Sequence, residues 1–187
     1  MRFSERSDRR DPIVRANALG RDERRAAIAA SFPMLDADRI AIAPSRAAIH
    51  LALQLALADV GDELLVLPDA DPIASEAAVV AGLVVTSVDA DGAAIFEAAG
   101  ERTRAVVVGD ADEELLTLLA ELELPIIAIE PTIAHHPIFH LESAPVVAIV
   151  RETESDAWLA LVGPPDRAEP LMTRLEWLAP VLFARVG

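Results

Sequence analysis

The sequence predicts a single three-layer α/β domain: a seven-stranded, mostly parallel sheet flanked by helices. Three observations lead there. Seven short aliphatic runs begin near Ile40, Leu64, Val84, Ala105, Ile126, Val146 and Trp158, and most are continuous rather than alternating, as in strands buried on both faces. Segments with helical spacing or helix caps separate most of them, and the last two follow each other closely. The composition is 53% hydrophobic but only 4% aromatic, so the core is built from Ala, Val, Ile and Leu. At 187 residues the chain can bury such a core without staples. We divide it into an N-terminal basic arm and helix, 1–32, and a single α/β domain, 33–187.

Local signals place the elements. Residues 22–30 read as a helix that ends before Pro33. Residues 40–43 are a strand stopped by Pro44, and Ser45 is a natural N-cap. Ile49, Leu53, Ala56 and Leu57 then recur at helical spacing, with Gly61-Asp62 as the exit. Residues 63–67 form the next strand, and Asp71-Pro72 looks like the cap and first position of a helix closed by Gly82. Strand, helix and strand within about 30 residues make a βαβ unit with parallel strands and a right-handed crossover. Residues 83–88 are a strand, Asp89 to Gly92 a turn, and 93–99 a short helix or turn closed by Gly100. Strand 104–108 follows, then a helix opened by a capping box from Asp110 to Glu113. Pro125 stops that helix, 126–129 is a strand, and 131–143 is a histidine-bearing loop. After the runs 146–150 and 157–162, Gly163-Pro164-Pro165-Asp166 leads into a final helix carrying Leu171, Leu175 and Leu178.

Charge narrows the partners. The net charge is −15, yet residues 1–25 hold eight arginines against five acids. The acidic body would repel phosphates, so no nucleic acid is expected. The basic arm could meet an acidic partner such as the body of another copy, or could be a solvated terminus. No run reaches the length of a membrane span, and no apolar stretch follows the charged N-terminus, so no membrane association is expected and the location expected is cytoplasmic. With no cysteine there is no disulfide, thiolate zinc site or cysteine nucleophile.

The stretch from Ala43-Pro44-Ser45 through Gly61-Asp62-Glu63-Leu64-Leu65-Val66-Leu67-Pro68 to Pro72 resembles the start of the large domain of fold-type-I pyridoxal-phosphate (PLP) aminotransferases of class I/II. Ala160-Leu161-Val162-Gly163-Pro164-Pro165 is similar to the family's strand after its catalytic lysine, and Phe3-Ser4-Glu5-Arg6 with Asn17-Ala18-Leu19 is similar to its N-terminal arm. The resemblance covers nearly the whole chain, without the family's small C-terminal domain. It implies that the last strand runs antiparallel to the rest and that the domain dimerises. It also implies that the helix start at Ser45, Arg46 and Ala47 descends from a phosphate site. That start lacks the family's usual glycine.

Other positions depart from the family. All 16 basic residues are arginine, and the chain has no lysine, so no internal Schiff base can form. The lysine segment corresponds to Arg151-Glu152-Thr153-Glu154-Ser155-Asp156. The aspartate that would pair with the cofactor's ring nitrogen is replaced by Ile129, and the tyrosine after it by Thr132. Gly109-Asp110-Ala111-Asp112 stands where an Asn-Pro-x-Gly loop is expected. No cofactor is expected, or PLP held noncovalently at most.

His135, His136 and His140, with Glu130 and Glu142, are the one metal-like cluster in the sequence, because imidazole and carboxylate suit zinc. Their spacing matches no zinc motif, and Pro137 keeps 136 and 140 from forming a clean helical pair. His50 reads as a packed or surface histidine, and Trp158 and Trp177 as core fillers. The function expected is a non-catalytic, aminotransferase-like interaction, scaffold or regulatory module that forms a homodimer and has room for a protein partner. The alternatives are a noncovalent binder of PLP or another phosphorylated small molecule at Ser45 to Ala47, and a hydrolase-like enzyme built on the cluster between Glu130 and Glu142.

Overall fold

A computed structural model describes residues 22–32, 35–109, 113–129, 145–152 and 157–183. Its helices are α1 (22–29), α2 (Arg46–Leu57), α3 (Pro72–Ala81), α4 (Gly92–Ala98), α5 (Glu113–Glu121) and α6 (Pro165–Phe183). Its strands are β1 (Ile40–Ala43), β2 (Glu63–Val66), β3 (Val84–Ser87), β4 (Thr103–Val108), β5 (Ile126–Ala128), β6 (Val146–Arg151) and β7 (Trp158–Gly163). The order across the sheet is β1-β7-β6-β5-β4-β2-β3. β3, β2, β4, β5 and β6 pair in parallel, and β7 runs antiparallel between β6 and β1.

The predicted βαβ unit keeps its direction but not its adjacency. β1 lies at the far edge beside β7, with four strands between it and β2. The hydrophobic run marks β1 as buried but cannot name its neighbour, and the partner it finds comes more than a hundred residues later.

Alternation along each strand feeds two cores, as the pleat requires. On one face Ile40, Leu65, Val106, Ile126, Ala148 and Leu161 meet Ile28 of α1, Ile95 of α4, and Leu116 and Leu119 of α5. On the other, Ala41, Leu64, Val107, Ile127, Ile149 and Ala160 meet α2, α3 and α6. Both faces are covered, which is why the central strands read as unbroken aliphatic runs.

Local rules explain the helix ends. Asp91 caps α4 and Asp71 caps α3 with Pro72 at its first turn. Gly82 closes α3 in the left-handed region, φ 79°, where glycine carries no Cβ penalty. α2 stops at Leu57, short of Gly61, because Ala58 is already extended. The capping box at Asp110 lies outside the described residues. Gly109, at the carboxyl end of β4, sits so close to the turn after β2 that a Cβ would fall 1.9 Å from the Asp69 carbonyl oxygen.

Candidate functional site

The parallel strands end together, and ligands of open α/β sheets bind beyond such ends. Ala43 of β1 lies across from Trp158, the first residue of β7, and Trp158 also faces Arg151 of β6. The start of α2 and the start of α3 stand on the same end of the sheet.

Ser45 is the N-cap of α2, and its Oγ accepts from the Ala48 N–H at 3.1 Å. Ala47 is exposed beside it. The Arg46 Nε lies 3.2 Å from Asp71 Oδ2, with the Arg46 side chain 37% exposed, and its guanidinium carbon stands 5.3 Å from the centre of the Trp158 ring. That is cation–π distance. Asp71 Oδ1 accepts from the Ile73 N–H at 3.1 Å and so caps α3.

The same Asp71 Oδ2 takes a second partner. His50, fully buried on α2, places Nε2 3.2 Å from it. Loss of hydration pushes the His50 pKa below its usual range, Asp71 opposes that shift, and the positive charge of Arg46 adds to it. A neutral imidazole facing a carboxylate carries its proton on Nε2. Nδ1 is then a buried acceptor without a hydrogen-bond partner among the described residues, as is Oε1 of Gln54 one turn on, whose Nε2 donates to the Ala74 carbonyl at 2.7 Å.

Arg46, His50, Asp71 and Trp158 thus form one cluster, buried at His50 and Asp71 and open to solvent at Arg46, that ties α2, α3 and β7 together. Sequence reasoning found Arg46 and separately read Asp71 as a cap, but did not join them. The available signal was the four-residue spacing of Arg46 and His50, which puts both on one face of α2. The core-filler reading is corrected for Trp177, which is 78% exposed on α6; Trp158 is half-buried, packed against the α2-face core with Arg46 over its ring. α6 turns Leu171, Met172 and Leu175 inward, and Trp177 falls on its outer side.

Ile129, just past β5, is a half-buried aliphatic side chain packed on the α2 face of the sheet. Glu152, past β6, is held by Arg24 of α1, whose Nε donates to Oε1 at 3.2 Å. Glu130, Thr132, His135, His136, His140 and Glu142 lie outside the described residues, as do 153–156. Among the described residues no three His, Asp or Glu side chains gather as a metal would require. No described helix is long and apolar enough to cross a membrane.

No protein-family model and no curated protein matches the sequence. Solved structures do. An aminotransferase from Escherichia coli superposes with a TM-score of 0.69 at 19% identity, over 89% of this chain and 50% of that one. Alanine aminotransferase from Pyrococcus furiosus gives 0.64 at 17% identity, over 90% and 51%. Aspartate aminotransferase from Thermus thermophilus with maleate gives 0.63 at 20%, over 87% and 55%. The chain spans about half the length of these structures. At such identities the likeness establishes architecture: this chain has the fold of the large domain of fold-type-I PLP aminotransferases.

Proposed function

We propose that the protein is a non-catalytic, aminotransferase-like module that works by holding partners, and that it is a homodimer. The observation that carries this reading is the pairing of Arg46 with Asp71 at the start of α2. A cation that could face a cofactor phosphate is instead engaged by a buried carboxylate of the same chain. Drawing Arg46 away would leave the buried Asp71 carboxylate with only His50 and the Ile73 N–H for partners, and a buried charge that loses its counter-ion is destabilised. A phosphate would have to outweigh that.

The other positions support the same reading. These residues do not fit PLP as a reactive cofactor. Ile129 offers no charge to a ring nitrogen, and the chain has no amine side chain for a Schiff base. Without a cation-stabilising carboxylate the cofactor loses its power as an electron sink.

Calorimetric titration of PLP, with inorganic phosphate as control, tests this directly. We expect no saturable heat. Saturable binding that Arg46→Ala abolishes would replace the proposal with a noncovalent ligand site at Ser45 to Ala47.

A further inference from the structure

Asp71 Oδ2 serves two nitrogens of unequal freedom. His50 Nε2 and Arg46 Nε each lie 3.2 Å from it, so the two bases stand no farther apart than twice that distance. The His50 and Asp71 side chains are buried, whereas that of Arg46 is 37% exposed. The imidazole is enclosed by the core, and the guanidinium has water on one side. While the imidazole is neutral, one carboxylate balances one guanidinium.

Among the described residues no other charge is turned to the ring. α3, α6, β1 and β7 pack against α2. β1 and β7 carry no charged residue, and Glu76 of α3 and the charged residues of α6 are exposed. Arg174 of α6 donates to the Ala56 carbonyl, near the other end of α2, at 2.8 Å.

A proton on Nδ1 sets two positive charges against one carboxylate oxygen, and like charges so close in a poorly hydrated site repel strongly. The buried imidazolium keeps Asp71, its one counter-ion here. Its new N–H also has an acceptor within reach. Gln54 Oε1 is buried and without a hydrogen-bond partner among the described residues, and side chains four apart are neighbours on a helix. Gln54 presents that oxygen because its Nε2 already donates to the Ala74 carbonyl. Arg46 is the member that can move out to water, and in leaving it gives up the Trp158 ring. We propose that His50 is a proton-operated latch on Arg46: one proton bound at Nδ1 joins Gln54, His50 and Asp71 in a hydrogen-bonded chain and releases the Arg46 guanidinium from Asp71 and Trp158 into solvent. Burial holds the His50 pKa below its usual range, with Asp71 opposing that shift and Arg46 adding to it, so the latch opens on the acid side of neutrality.

The latch uses the pair that carries the functional proposal but not the holding of partners, so the PLP titration and the following test fail separately. Trp158 reports the release. The chain has two tryptophans, and Trp177→Phe, at an exposed position, leaves Trp158 as the single indole. Its emission is followed in the full chain from about pH 8 to about pH 5, beside the His50 ring signals in NMR, with circular dichroism to confirm folding. We expect one reversible emission step whose midpoint coincides with the His50 titration. Arg46→Ala should abolish the step and raise the His50 pKa, because it removes the positive charge beside the ring. Gln54→Leu should move the step and the His50 titration together to lower pH, because the charged ring loses its acceptor. If Arg46→Ala misfolds, Gln54→Leu decides. A step that persists in Arg46→Ala, or emission that stays flat while His50 titrates, would overturn the latch. So would a His50 ring that stays neutral until the fold is lost.

Discussion

Asp71 holds more of this molecule together than any local pattern announces. One oxygen caps α3, and the other faces both Arg46 and His50. The physical consequence falls on His50. Its pKa is depressed by burial in the folded protein, while the unfolded chain returns it to its ordinary value of 6.5. Below pH 6.5 the unfolded state therefore binds more protons, so the contribution of His50 is present above that pH and is lost as pH falls toward its folded pKa. Wild type should lose stability more steeply than His50→Leu between pH 7.5 and 5 in urea unfolding. Parallel slopes would show that His50 does not titrate differently on folding. At this scale the sequence disclosed the residues but not their meeting. His50 and Asp71 are 21 positions apart, and nothing local couples them.

At the scale of elements, the junctions at strand ends carry the tightest constraints. Gly109 closes β4 against the turn at Asp69 and Ala70, with the carbonyl oxygen 1.9 Å from any added Cβ and the Ala70 nitrogen 2.9 Å. The obstacle is backbone rather than a flexible side-chain tip. Gly109→Ala should cost about 2–3 kcal/mol of unfolding free energy, read from denaturant midpoints at constant m-value. A loss below about 0.5 kcal/mol would mean that the turn moves aside freely. The helix α3 was legible at both ends, because Asp71-Pro72 and Gly82 act within a few residues of themselves. The exit of α2 was less so. Gly61-Asp62 marked the boundary after α2, but Gly61 is not its cap: it takes φ 84° in the turn that leads into β2.

For the whole molecule, layering sets the order of stability. β4, β5 and β6 lie between paired neighbours and beneath helices on both faces, whereas β3 is half open. Amide hydrogen exchange should be slowest in β4 to β6 and faster in β3, whose one neighbour among the described residues is β2. Equal protection of β3 and β5 in dilute protein would contradict this layered picture. The likeness to aminotransferase large domains belongs to this scale too: the sequence pattern signalled it, and the superposition at 17–20% identity establishes it as architecture.

The positions of strands and helices, the aliphatic two-sided core and the lack of an amine between β6 and β7 were all present in the linear chain. Each depends on residue type and spacing over a few positions. The seat of β1 beside β7, the convergence of Arg46 and His50 on Asp71, the outward face of Trp177 and the edge position of β3 among the described strands came from folding. Those follow from backbone pairing and burial, which join residues that no local period relates.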